Sequence, residues 1–277
     1  MKKLFFLILA IAIFQATQAQ KLKLLTYNVR LNVASDGQNA WPVRKPFFLS
    51  QLKFYSPDIF GTQEGLPGQV ADIAEGLPEY GHIGQGREGG DNGEHVAMFY
   101  KKDLFNLLDH HTFWLSDTPD KVSKGWDAAY LRICTYGHFQ DKQTKTKFWV
   151  FNTHLDNEGA NARLQAIRLI LRKIDELDTD HEPVFLMGDF NSEPTSDVVK
   201  LTKQDFTSAD AISQTPLFGP SGTFNNFDFC NPVTLLIDYI FIKNPVKCQV
   251  LKYAVLSDSK DCHYPSDHLP VFAEIKF

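Results

Sequence analysis

Along this chain, apolar residues gather in short runs that stop abruptly at polar ones. Runs rich in β-branched and aromatic residues, bounded by turn formers, predict strands over 22–28, 58–62, 95–101, 130–139, 147–153, 184–188, 236–242, 249–256 and 269–276. Helices are predicted over 43–55, 68–75 and 159–177. In the last, Ile167, Ile170, Leu171, Ile174 and Leu177 repeat at the helical period and form one apolar face. Strands outnumber helices and several are consecutive, which disfavours an alternating doubly wound sheet and favours two packed sheets with helices outside, an α+β architecture. No repeat, low-complexity tract or composition break marks a linker, so one domain is expected, its longest loop over 84–93. Nearly every polar cluster falls at the carboxyl end of a strand or in the loop after it, where ligand sites are commonly built.

The amino end changes the picture. Lys2 and Lys3 precede an apolar stretch over 4–14, followed by Thr17, Gln18 and Ala19. This is the pattern of a cleaved secretory signal peptide over 1–19, and its apolar core is shorter than the roughly 20 residues a membrane-spanning helix needs. The catalytic domain is then expected over 20–277, exported to the periplasm or the medium. Loss of two lysines and no acid moves the formal charge from −5 to −7. That acidity argues against tight sequence-independent binding of long nucleic acid, which draws its affinity from Lys and Arg. A composition of 43% hydrophobic residues with 23 Phe supports a sizeable core and excludes disorder. Cys134, Cys230, Cys248 and Cys262 are widely spaced with no CxxC pair, so a zinc site is not expected, while export permits disulfides in any of three pairings. A buried free thiol is an equal reading for Cys134.

The chemistry sits at the strand ends. The first strand finishes at Asn28 in TYNVR, and the second leads to Glu64 in GTQE, a hard carboxylate ligand suited to magnesium. FNTHLDN places His154 directly after a strand. MGDFNS places Asp189 and Asn191 on one side of the chain, able to grip one water or one phosphate oxygen together. Near the carboxyl end, LIDYIF carries Asp238 inside an apolar strand, where a buried acid requires a partner, and SDHLPVF offers Asp267 and His268. An Asp that fixes an imidazole raises its basicity, as general acid–base work near neutral pH requires.

Taken in order, TYNVR, GTQE, THLDN, MGDFNS, IDYIF and SDHLP resemble the endonuclease/exonuclease/phosphatase superfamily over essentially the whole mature chain. The resemblance implies a four-layer α/β/β/α sandwich of two mixed sheets with outer helices. It implies a Mg2+ site, with Mn2+ or Ca2+ as alternatives, at Glu64 supported by Asn28 and Asp267. Asp189 and Asn191 are then expected to position and activate the attacking water, with His268 (oriented by Asp238) and His154 flanking the phosphorus. It further implies that Glu94 orients His154 and that Arg132 contacts substrate phosphate, a task its planar fork suits. The expected partner is a phosphate ester, either a small molecule or single-stranded nucleic acid, acted on by a monomer without stable membrane insertion. The aromatic segment over 113–136, with Trp41, Phe227 and Phe229, is expected to line the specificity pocket.

Overall fold

The computed structural model describes residues 21–243 and 248–277, so the leader expected over 1–19 lies outside the described residues. In chain order the elements are β1 (Lys21–Asn28), α1 (Trp41–Tyr55), β2 (Ile59–Gln63), α2 (Pro67–Gly76), β3 (Tyr80–Ile83), β4 (Met98–Lys101), β5 (Phe105–Trp114), β6 (Ile133–Asp141), β7 (Lys147–His154), α3 (Ala160–Leu177), β8 (Val184–Asp189), α4 (Asp197–Asp205), β9 (Phe206–Ser208), β10 (Asp238–Lys243), β11 (Gln249–Val255) and β12 (Val271–Lys276). They form two six-stranded sheets, ordered β11-β12-β1-β2-β4-β3 and β5-β6-β7-β8-β10-β9. Each sheet is antiparallel except for one parallel pair, β1 with β2 in the first and β7 with β8 in the second.

Strand alternation produces the four layers. On β1, Leu22 and Leu24 point between the sheets and meet Phe148, Val150, Phe185, Met187 and Ile240. Leu25 and Tyr27 on the same strand point outward and are covered by Phe48 and Leu52 of α1 and Ile73 of α2. On the far side, Ala166, Ile167, Ile170 and Ile174 of α3 cover Phe151, Leu186 and Phe241 of the second sheet. Each such buried aliphatic side chain stabilises the fold by about 1.5–3 kcal/mol.

A polar bolt joins the sheets near the end that carries the site. Asn152 on β7 is fully buried, donates to the carbonyls of Thr62 (3.1 Å) and Ala97 (2.9 Å), and accepts from Gln63 Nε2 at 2.7 Å. Gly61 makes room for it, because a Cβ at that position would lie 2.5 Å from Asn152 Cγ.

Several expectations are corrected. The strand read over 95–101 starts at Met98, because His95 is held only by isolated bridges to Gly65 and Gly86. The run read over 130–139 starts at Ile133. Four elements had no prediction: β3, β5, α4 and β9. Among the described residues, the segments over 115–132 and 213–237 are longer loops than 84–93, which is tightened by left-handed Gly84, Gly89, Gly90 and Gly93. Cys134, Cys230 and Cys262 form no disulfide, with Cys134 buried and Cys230 and Cys262 exposed, and Cys248 is buried. No helix among the described residues is long and apolar enough to cross a membrane.

Candidate active site

The carboxyl ends of the two parallel pairs meet at one edge. Asn28 stands opposite Gln63 in the first sheet, and His154 opposite Asp189 in the second. β8 can approach β7 this closely because Gly188, at φ 142°, has no Cβ to strike the Thr153 carbonyl 2.0 Å away. The amide nitrogen of Asn28 then spans the sheets, donating to Glu64 Oε1 and to Asp189 Oδ2, each at 3.0 Å. Its Oδ1 accepts from the backbone N–H of Arg30. Glu64, in left-handed backbone at φ 65°, also accepts the N–H of Leu31 at 3.1 Å.

Around Asp189 the other groups gather. Asn191, left-handed at φ 45°, donates its N–H to Asp189 Oδ1 (2.8 Å) and its Nδ2 to the Leu155 carbonyl (2.9 Å), with His154 Nε2 3.2 Å away. His154 Nε2 and His268 Nε2 lie 3.5 and 3.8 Å from Asp189 Oδ2. His268 Nδ1 lies 2.9 Å from Asp238 Oδ2, and the second oxygen of Asp238 is buried without a hydrogen-bond partner. Asp238 is itself placed by Thr223, whose hydroxyl accepts the N–H groups of Ile237 and Asp238. Asp267 faces Arg30 across 3.9 Å.

Glu64, His154, Asp189, Asn191, Asp267 and His268 line a cavity of about 640 Å³, and Asp189, Asp267, His268 and His154 are shifted from their ordinary acidities. Asp189 is pushed up to about 7, first by burial and then by the Asp238 carboxylate. Asp267 is raised by burial. Burial opposes protonation of His268, yet Asp238 and Asp189 outweigh it and hold the imidazole well above its ordinary value. His154 moves the other way, driven well below by burial and by the Arg132 guanidinium, and is neutral.

Arg132 is committed to protein. Its Nη1 sits 3.0 Å from His154 Nδ1, its Nη2 donates to Asn157 Oδ1 (3.0 Å) and its Nε to Asp156 (3.3 Å), so it anchors His154 while lining the cavity. Asp156 is kept below the usual carboxylate range, despite burial, by N–H groups of Gly159, Ala129 and Tyr130. Glu94 lines the cavity with His154, and its carboxylate accepts from Arg87 at 2.8 Å, while Arg132 and Asn191 hydrogen-bond His154. The specificity segment is corrected in part. Tyr130 and Phe227 do line the cavity, but Trp126 packs on the α3 core and Trp41 is buried with α1. Arg30, Arg87 and Phe224 line it too and were not foreseen. Arg30 lies within TYNVR, whereas Arg87 in its glycine-rich loop gave no signal.

Among the described residues, two clusters bring three ligand atoms within 4.8 Å of one another: Glu64, His154 and Asp189, and Asp189, Asp238 and His268. In the second, His268 is engaged with Asp238, which suits proton transfer. The first suits a hard divalent cation. Its Glu64 and Asp189 carboxylates face the cavity, while the neighbouring guanidinium groups are paired elsewhere, Arg30 with Asp36, Arg87 with Glu94 and Arg132 with Asp156.

Comparison with known proteins places this arrangement. A crystal structure of an endonuclease/exonuclease/phosphatase family protein from Bacteroides thetaiotaomicron superposes with a TM-score of 0.89 at 37% identity, covering 94% of this chain and 99% of that one. A mannosyl-6-phosphatase from the same organism gives 0.87 at 37%, covering 92% and 100%. The Ccr4 3′-5′-exoribonuclease subunit of the CCR4-Not complex from Aspergillus oryzae is 22% identical over 93% of this chain but only 48% of its own length. The chain thus spans about half of that relative. The model of the Endonuclease/Exonuclease/phosphatase family matches residues 25–268, from inside β1 to His268 itself, and the chain therefore belongs to that family of phosphoester hydrolases.

Proposed function

We propose that this protein is an exported, divalent-cation-dependent phosphoesterase that hydrolyses a small phosphate ester by in-line attack of water, without a covalent enzyme intermediate. The observation that carries the reading is the convergence of Glu64, His154, Asp189, Asn191 and His268, drawn from both sheets, around one cavity, with Asn28 and Asp238 hydrogen-bonded to Asp189 and His268. Likeness over nearly the whole chain to a mannosyl-6-phosphatase favours a sugar phosphate monoester over the other substrates. Export rests on the leader pattern over 1–19, which gives a mature domain over 20–277 working as a monomer in the periplasm or medium.

Glu64 would hold the cation together with Asp267 on the rim, with Asn28 fixing the Glu64 carboxylate relative to that of Asp189. Mg2+ fits an oxygen pair of this kind, and Mn2+ and Ca2+ share its preference. Bound there, the cation supplies positive charge to the phosphoryl oxygens. Asp189, held by Asn191 N–H and Asn28 Nδ2, orients the attacking water and accepts its proton. The protonated His268, steadied by Asp238, donates to the charge growing on the phosphoryl or leaving oxygen. Neutral His154, fixed by Arg132 and Asn191, closes the opposite side.

A nuclease reading has one observation in its favour, the aromatic side chains Tyr130, Phe224 and Phe227 around the cavity, which suit base stacking. Purified protein assayed on sugar phosphates, nucleotides, inositol phosphates, phospholipids, DNA and RNA in Mg2+, Mn2+ and Ca2+ decides. Sugar phosphates turned over fastest, with loss of activity in chelator and recovery on adding Mg2+, is the expected result. Full activity in excess chelator would sink the cation-dependent mechanism, and preference for single-stranded RNA or DNA would move the assignment to a nuclease.

A further inference from the structure

Arg44 lies on α1, outside every motif described above, yet it is 5% exposed and its charge has no carboxylate partner among the hydrogen bonds it makes. Instead it spends its fork on four backbone carbonyls. Nε donates to Asn39 at 2.8 Å, Nη1 to Val29 at 2.5 Å and to Pro265 at 3.0 Å, and Nη2 to Arg30 at 2.5 Å. Val29 and Arg30 directly follow Asn28, and Pro265 stands two residues before Asp267. Three of the four acceptors therefore belong to the two loops that deliver Asn28 and Asp267–His268 to the site, loops far apart in sequence and joined elsewhere by Ser266 Oγ, which donates to the Asn28 carbonyl at 2.7 Å. The guanidinium also lies 5.0 Å from the Trp41 ring and 5.8 Å from that of Phe227, which lines the substrate cavity.

We propose that Arg44 is a positioning residue: its planar guanidinium clamps the loop after Asn28 to the loop before Asp267, and so sets the distance between the two sides of the cation and phosphate site. Burying an arginine on neutral carbonyls is costly unless its donors are used. Carbonyl dipoles arranged around a fork hold one geometry that an ammonium cannot copy, since Lys presents its three donors from a single point. The four acceptors fan out across two loops and the segment at Asn39, which a point donor does not span. The clamp itself rests only on the hydrogen-bond geometry. Its effect on the cation rests on the functional reading above.

The test is R44K in the full chain, read by amide hydrogen exchange and by Mn2+ binding from its EPR signal. The expected result is at least tenfold faster exchange in residues 29–33 and 264–268 together, unchanged exchange in β4 and β8, and at least tenfold weaker Mn2+ binding. Acceleration in one loop only, in neither, or evenly through the domain overturns the clamp, as does failure of R44K to fold, because Arg44 would then serve the domain as a whole. Unchanged Mn2+ affinity with both loops loosened overturns the coupling to the cation. A wild-type protein that binds no Mn2+ removes the cation reading of the site, and the exchange result still decides the clamp.

Discussion

Replacing Asp238 by Asn tests how much of the chemistry passes through His268. The pair is 2.9 Å apart and buried, at 1% and 4% exposure, so its hydrogen bond is little screened. A hydrogen bond to a charged partner contributes about 1.5–3 kcal/mol net. At about 1.4 kcal/mol per decade, its loss corresponds to a roughly 10- to 150-fold fall in kcat. H268A removes the proton transfer itself and should cost about 10²- to 10⁴-fold. Since Asp238 acts through His268, D238N/H268A should be no slower than H268A within about threefold. The assay is steady-state hydrolysis of the best substrate of the panel in Mg2+, with circular dichroism confirming the fold. Losses that multiply in the double variant would refute the reasoning, because Asp238 would then act independently. The pH dependence of stability gives a second reading. His268 has a folded-state pKa above its unfolded one, so its contribution is fully present below the unfolded value near 6.5 and is lost as pH rises through the raised folded value. Without added cation, D238N should therefore lose more stability at pH 6 than at alkaline pH, measured by urea denaturation.

Three further outcomes are expected. E64Q should weaken Mg2+ activation at least tenfold, seen as a shift in half-activating Mg2+; an unchanged value would remove Glu64 from the cation site. N152A deletes three buried hydrogen bonds between the sheets and should cost about 2–4 kcal/mol, or roughly 4–16 °C in Tm, while a change below 1 °C would show the bolt to be idle. A thiol reagent should label Cys230 and Cys262 in the native protein and reach Cys134 and Cys248 only after denaturation, because burial both shields the Cys134 thiol and raises its pKa; rapid reaction at four thiols would contradict this.

The site was readable because its donors sit where apolar runs stop. Asn28, Glu64, His154 and Asp189 each follow a strand core, and a period of two fixes the side on which such a residue emerges. Asp238 was readable for the opposite reason, as an acid inside an apolar run that had to find a partner. What stayed hidden depended on loops and edges. β5 was missed because it is an edge strand whose Asp109, His110 and His111 are exposed, so its pattern is too polar to read as a strand. Arg87 reaches the cavity only through the turns of its loop, where it pairs with Glu94. Trp126 misled because an aromatic beside a predicted pocket segment says nothing about which way the chain turns, and here it turns onto α3.

Because Asn28 and Glu64 hang from one sheet and His154, Asp189 and Asp238 from the other, the reacting groups straddle the seam of the sandwich. Catalysis then gauges sheet-to-sheet alignment. A slip of an ångström along that seam, from mild urea, hydrostatic pressure or cold, separates Asn28 from Asp189 while every strand remains intact. Turnover should consequently vanish before the far-ultraviolet signal moves, making the enzyme a sensitive reporter of its own incipient loosening.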